Sequence, residues 1–138
     1  SIGSLFSDKR PTIMFSHIMI GANDIQASKV FYDAILGALG HSEGVIDDKG
    51  RCFYRTEAGV FALTKPIDGE AATHGNGSTI GFLAANQEQA DAWHAAGLAN
   101  GGVNCEDLPG VRGGPNGLYL AYLLDPSGNK ICALHSLA

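Results

Sequence analysis

The sequence has few basic residues and no long apolar run. Its 138 residues include 9 Lys and Arg against 14 Asp and Glu, which gives a formal net charge of −5. This balance argues against electrostatic binding to nucleic acid or to anionic lipid. No apolar run approaches the roughly 20 residues of a membrane span, and the glycine-rich dinucleotide and phosphate-loop motifs are missing. We therefore expect neither nucleic acid nor a membrane as a partner.

Cysteine is also scarce. The sequence has three cysteines, Cys52, Cys105 and Cys132, which is an odd number. They are widely spaced, and no Cys-x-x-Cys pair occurs. A disulfide framework or a cysteine-rich metal site would need a different pattern. We interpret the three residues as reduced thiols of a cytoplasmic protein.

The chain is of the right length and composition for one folded domain. It is 45% hydrophobic and 17% charged, which is typical of a globular protein. Residues 1–13 are polar and irregular, and we interpret them as an N-terminal arm or leader. The sequence predicts a single domain over 14–138.

The hydrophobic pattern predicts the same order of elements twice. Module one, 14–65, has a strand at 14–20, a helix at 25–38 and strands at 41–46, 51–56 and 60–65. A polar connector follows at 66–77. Module two, 78–135, has a strand at 78–84, a helix from Asn86 to about Asn100, and strands near 103–107, 118–124 and 130–134.

We therefore predict an α+β fold in which two βαβββ modules form a cupped, half-barrel mixed sheet with the helices outside. A ferredoxin-like βαββαβ sandwich is the alternative, but it leaves the extra strands of each module unexplained. The concave side of such a sheet is the default place for a ligand.

Two segments carry a family resemblance. One is the turn Asp125-Pro126-Ser127-Gly128-Asn129 between two apolar runs, and the other is Asn23–Asp33, which follows the first strand and includes Phe31-Tyr32. Together they resemble the glyoxalase/bleomycin-resistance/dioxygenase superfamily, also called the vicinal oxygen chelate superfamily. The resemblance implies the cupped fold and a homodimer.

The resemblance also implies four positions for metal ligands, on the first and last strands of each module. In this chain they hold His17, Ala62, Thr79 and Cys132. Only His17 matches a usual ligand, so we expect no metal cofactor. The alternative is a divalent ion held by His17 with unrecognised ligands such as His74 or Glu57, which would make the protein a lyase, isomerase or dioxygenase.

The remaining lining is small and mostly apolar by strand parity, which favours an organic ligand over a bare cation. The expected ligand-binding residues are His17, Thr79, Cys132, Arg112, Tyr54 and Tyr119. Arg112 lies in a Gly- and Pro-rich loop, 108–117, from which it can clamp an anion. Tyr119 and Tyr122 lie on opposite faces of one strand, so only one of them can point directly into the cup. The expected function is binding of a small organic molecule.

Overall fold

The computed structural model describes residues 12–138, so most of the predicted N-terminal arm, 1–13, lies outside the described residues. Module one contains β1 (His17–Gly21), α1 (Ile25–Ala38), β2 (Val45–Ile46), β3 (Cys52–Thr56) and β4 (Gly59–Thr64). Module two contains β5 (Ile80–Leu83), α2 (Gln87–Ala99), β6 (Val103–Asn104), β7 (Gly110–Arg112), β8 (Leu118–Leu124) and β9 (Lys130–Ser136).

The two modules build two open sheets of equivalent topology. Sheet 1 has the strand order β1-β4-β3-β2, and sheet 2 has the order β5-β9-β8-β6. In each sheet the first strand pairs in parallel with the last, and the other pairings are antiparallel. The predicted α+β fold of two half-barrel modules with mixed sheets is confirmed.

Module two contains one strand that the sequence pattern did not predict. β7 lies inside the segment 108–117, whose Gly- and Pro-rich composition predicts a loop, and it pairs with the first residues of β8. β6 pairs with the last residues of the same strand. β8 is seven residues long, so one edge of it accommodates two short partners in succession.

Both helices begin at a residue whose side chain caps the first turn. The Asp24 carboxylate accepts a hydrogen bond from the Ala27 N–H at 3.0 Å, and the Asn86 side chain accepts one from the Gln89 N–H at 2.8 Å. The Gln89 side chain reaches back to the Ala85 N–H at 2.8 Å, which completes a reciprocal cap. In the described part of the chain, neither helix is long and apolar enough to cross a membrane.

The core is formed where α1 packs against α2 and where both helices pack against the sheets. The close approach depends on Gly97, because a Cβ at this position would lie 2.3 Å from Cδ1 of Leu123 and 3.3 Å from side-chain atoms of Ile35 and Phe31. The two sheets are also bridged directly by aromatic rings. Phe61 and Phe82 meet edge to face with their centroids 5.3 Å apart.

The turn between β8 and β9 holds module two against module one. The Tyr32 hydroxyl on α1 donates to the Asp125 carboxylate at 2.7 Å, and both residues are buried. The Asn129 amide donates to the Gly21 carbonyl at 3.0 Å, and the Asn23 N–H donates to the Ser127 hydroxyl at 3.1 Å. This turn therefore joins the end of β1 and the start of α1 to the last hairpin of the chain.

Candidate functional site

Each sheet has two distinct faces. The helix face packs against α1 and α2, and the opposite face, here called the open face, points away from the helices. Side chains of directly paired residues lie on the same face, so the strand register assigns each residue to one of the two.

The open face of sheet 1 carries His17. His17 pairs with Val60, which pairs with Arg55, and these three residues form one row across the sheet. In the next row Met19 pairs with Ala62, which pairs with Phe53. The register therefore places His17, Met19 and Ala62 on the same face of sheet 1.

The His17 ring is exposed at the beginning of β1. Its Nδ1 lies 2.8 Å from the Ser16 hydroxyl, so that one ring nitrogen has a local partner.

The open face of sheet 2 carries Cys132. Gly81 pairs with Cys132, which pairs with Tyr122, and in the next row Leu83 pairs with Leu134. Thr79 is exposed and lies one residue before β5 begins. The register thus gives Ala62 and Cys132 equivalent places in the two modules. Ala62 pairs with Met19, two residues after His17, and Cys132 pairs with Gly81, two residues after Thr79.

The residues at the four metal-ligand positions do not fit a divalent ion. Ala62 has no donor atom, and Thr79 offers only a neutral hydroxyl. Burial raises the pKa of the Cys132 thiol, although the charge of Lys130 partly opposes this effect, so the thiolate that a metal would bind is disfavoured. Across residues 12–138 no three His, Cys, Asp or Glu side chains are grouped closely enough to hold a metal ion.

The two extra ligands of the alternative prediction lie elsewhere. His74 is in the connector, where its Nδ1 would be 3.5 Å from a Cβ added at Gly128 of the β8–β9 turn. Glu57 is exposed in the turn between β3 and β4. Neither forms a three-membered ligand group with His17 in the part of the chain that the structure describes.

Tyr54 lies on the helix face and not on the open face of sheet 1. It pairs with Phe61, is 4% exposed, and donates to the Asp33 carboxylate of α1 at 2.7 Å. Burial and this hydrogen bond hold the pKa of its hydroxyl well above the usual range. The apolar environment between β3 and α1 accommodates the Tyr54 ring. The residues of β3 that alternate with it, which include Arg55, lie on the open face.

Tyr119 also lies on the helix face, in sheet 2. Its hydroxyl donates to the Asp91 carboxylate of α2 at 2.6 Å. Tyr122 is the tyrosine of this strand that shares the open face with Cys132, and Lys130 Nζ lies 5.1 Å from the centre of its ring. Tyr122, and not Tyr119, therefore lies on the same face of sheet 2 as Cys132.

Arg112 is the last residue of β7 and pairs with Leu118 on the open side of sheet 2. Its guanidinium donates to the carbonyls of Gly110, Asp107 and Leu108 at 2.8 to 3.2 Å. The side chain thus stabilises its own loop, and these contacts engage the donors that a bound anion would use.

A cavity of about 470 Å³ lies between the edge strands of the two sheets, β1 and β5. We call it the inter-module cleft. Its lining is mainly aromatic and aliphatic and comes from both modules, with His17 and Tyr54 among the predicted residues and Phe61 and Phe82 at the junction. Thr79, Cys132 and Arg112 are not part of this lining.

Sequence reasoning did not identify Phe15, Phe61 and Phe82 as site residues, although all three line the cleft. Each belongs to an apolar run typical of a buried strand. The sequence contains no signal that separates an aromatic residue at the mouth of a cavity from one in the core.

The described geometry agrees with the comparisons to known proteins. Residues 14–133 match the model of the Glyoxalase/Bleomycin resistance protein/Dioxygenase superfamily. This chain belongs to that superfamily, and the predicted resemblance is confirmed. The comparison with curated proteins found no match.

Solved structures support the same assignment. A glyoxalase/bleomycin resistance protein from Albidiferax ferrireducens T118 is 61% identical, with a TM-score of 0.83 over 88% of this chain and 97% of that one. A family enzyme from Burkholderia phytofirmans PsJN is 19% identical, with a TM-score of 0.69 over 88% and 98%. A lactoylglutathione lyase from Agrobacterium tumefaciens is 21% identical, with a TM-score of 0.61 over 90% and 94%. The last two show only that the fold is shared.

Proposed function

We propose that this protein binds a small, largely apolar organic molecule in the inter-module cleft, without a divalent metal ion. The observation that carries the proposal is the lining of the cleft, where Phe61 and Phe82 meet between the modules. His17, whose side chain leaves β1 on the open face, borders this cleft at the start of the strand. Apolar pockets with a few polar groups are the usual form of small-molecule sites. The family membership leaves both binding proteins and enzymes open, and the residues present favour binding.

His17 acts in this proposal as the polar anchor of the ligand. Its ring is exposed, and the hydroxyl of Ser16 occupies the Nδ1 side. The remaining nitrogen can exchange one hydrogen bond with a carbonyl, hydroxyl or carboxylate group of the ligand. A single imidazole fixes the orientation of a molecule that the aromatic lining holds by burial.

The metal-dependent alternative requires donors that this chain lacks at the family positions. Activation of a substrate by a divalent ion needs several protein ligands together with an open position. The proposal therefore predicts that dialysed protein carries no stoichiometric metal. Elemental analysis that found about one Ni, Zn, Fe or Mn ion per chain would refute this part of it.

We also propose that the protein is a homodimer in the cytoplasm. Two large apolar side chains are exposed at the edge strands that border the cleft. Phe15, just before β1, is 61% exposed, and Leu83, in β5, is 76% exposed. A second copy of this chain would cover them. The three cysteines are free thiols, which suits a reducing compartment. Light scattering coupled to gel filtration tests the dimer, and a mass equal to one chain at micromolar concentration would contradict it.

The binding site is tested with 1-naphthoate, an aromatic acid that matches the proposed ligand class. In ¹H–¹⁵N spectra the amides of Ile18, Gly59 and Gly81 are expected to shift on titration. His17→Ala should weaken binding by roughly tenfold, the effect of losing one hydrogen bond to a charged group. His74→Ala is the matched control and should bind like the wild type.

Two results would refute the assignment of the cleft. One is a set of shifts that leaves these three amides unchanged while others move. The other is equal affinity in the His17→Ala variant and the wild type.

A further inference from the structure

A second and larger cavity lies where β1 leads into α1. It has a volume of about 960 Å³ and is bordered by Met19 and Thr64, whose register places them on the open face of sheet 1. Lys49, Arg51 and Lys65 also line it. We call it the basic cavity. It lies near the opposite end of β1 from His17 and is separate from the inter-module cleft.

The lining of the basic cavity has an excess of positive charge. The chain carries a formal net charge of −5, yet three of its nine Lys and Arg residues meet here. Among the described residues that line the cavity, Asp24 is the one acidic residue, and its carboxylate is engaged as the cap of α1. Lys49 and Lys65 form no ion pair with an acidic residue within 12–138.

Arg51 is partly neutralised and still has donors to spare. Its Nε and one terminal nitrogen contact the Asp47 carboxylate at 2.7 and 2.6 Å. A guanidinium has five N–H donors, so others remain after this pairing. Asp47 thereby fixes the direction of the Arg51 side chain at the edge of the cavity.

The positive charge continues along the open face of sheet 1. The guanidinium carbons of Arg51 and Arg55 lie 5.1 and 4.4 Å from the centre of the Phe53 ring. Two cations on one ring repel each other, and the cost falls when an anion lies between or beside them. Asp47 already offsets part of this charge at Arg51, and Arg55 adds a further cation to the surface beside the cavity.

We propose that the basic cavity binds the phosphate group of a phosphorylated small molecule, with Lys49 and Lys65 as its principal contacts and Arg51 as a third donor. Ammonium groups on flexible chains suit phosphate oxygens, which accept hydrogen bonds from several directions. The volume of the cavity leaves room for an organic portion beside the phosphate. The site is independent of the ligand proposed for the cleft.

The test uses inorganic phosphate as the probe, with ionic strength held constant by KCl. Amide shifts at Gly50 and Lys65 are expected to saturate on titration. Lys49→Gln and Lys65→Gln together should weaken binding by roughly tenfold or more. Lys130→Gln removes a cation from sheet 2 that is paired with Glu106, and this control should bind phosphate like the wild type.

Three results would overturn the proposal: the same shifts with KCl alone, an equal response to acetate, or unchanged affinity in the double lysine variant. His17→Ala should retain phosphate binding. Loss of naphthoate binding together with retained phosphate binding therefore separates the two sites, and the failure of one proposal is distinguishable from the failure of the other.

Discussion

Three tyrosine hydroxyls donate hydrogen bonds to aspartate carboxylates that differ in burial. Removing each hydroxyl should lower the free energy of unfolding, and the loss should be larger where the hydrogen bond is more deeply buried. Tyr32 is 0% exposed and donates to Asp125, which is 5% exposed. Burial, together with the negative charge of this carboxylate, raises the pKa of the Tyr32 hydroxyl well above its usual value. Tyr54 donates to the partly buried Asp33. Tyr119 donates to an exposed carboxylate.

The magnitudes follow from the partners that remain after each change to Phe. Asp125 also accepts hydrogen bonds from the Ser127 N–H and from the backbone and side-chain amides of Asn129 at 2.8 to 2.9 Å. Tyr32→Phe therefore removes one of four donors without leaving a cavity. We expect a loss of about 1.5–3 kcal/mol in the free energy of unfolding, typical of a hydrogen bond to a charged group. Tyr119→Phe should cost less than about 1 kcal/mol, because water replaces the lost partner.

Urea unfolding followed by circular dichroism measures the series. We expect Tyr32→Phe to destabilise the protein most, Tyr54→Phe less and Tyr119→Phe least. In thermal unfolding, Tyr32→Phe should lower the melting temperature by roughly 6–12 °C for a domain of this size. A Tyr119→Phe variant as destabilised as Tyr32→Phe would refute the reasoning that burial sets the cost. So would a Tyr32→Phe variant as stable as the wild type.

The other predictions concern helix packing and acid stability. Gly97→Ala should destabilise the protein by about 1–3 kcal/mol, because the new methyl group meets Leu123. Gly37→Ala should stabilise it by up to about 1 kcal/mol, because a Cβ at this position meets nothing within 4 Å. Equal effects of the two changes in urea unfolding would contradict the packing described. Although burial alone would raise the pKa of the Asp33 carboxyl, hydrogen bonds from Lys29, the Gly44 N–H and Tyr54 lower it. A lowered folded pKa means that Asp33 stabilises the protein above about pH 4 and that this contribution is lost as the pH falls further. Asp33→Asn should therefore flatten the stability profile between pH 5 and pH 3, and an unchanged slope would count against this role.

The helices and the overall fold could be predicted because their signals are local. Asp24 and Asn86 are both capping residues followed by a helical pattern, and α1 has the predicted bounds. The βαβββ repeat appears as alternating patterns separated by turns. β5 is shorter than predicted, so Thr79 lies just outside it, because a strand ends where its neighbour stops pairing and not where its pattern ends.

The tyrosines could not be assigned in the same way. β8 reads Leu-Tyr-Leu-Ala-Tyr-Leu-Leu and is apolar on both faces, so its pattern contains no inward or outward signal. Tyr119 reaches Asp91 and Tyr54 reaches Asp33, both on helices. These partners are distant in sequence, and only the packing of each helix on its sheet reveals which face a tyrosine occupies.

The turn between β8 and β9 has a consequence for how the chain folds. Its contacts with Gly21 and Asn23 join residues 108 and 104 positions apart, and such long-range contacts slow folding because a large loop must close before they form. During synthesis, the Tyr32 hydroxyl of α1 lacks its partner until Asp125 of module two has been made. Although the two halves share one topology, these contacts join them, so we expect the protein to fold as one unit rather than module by module.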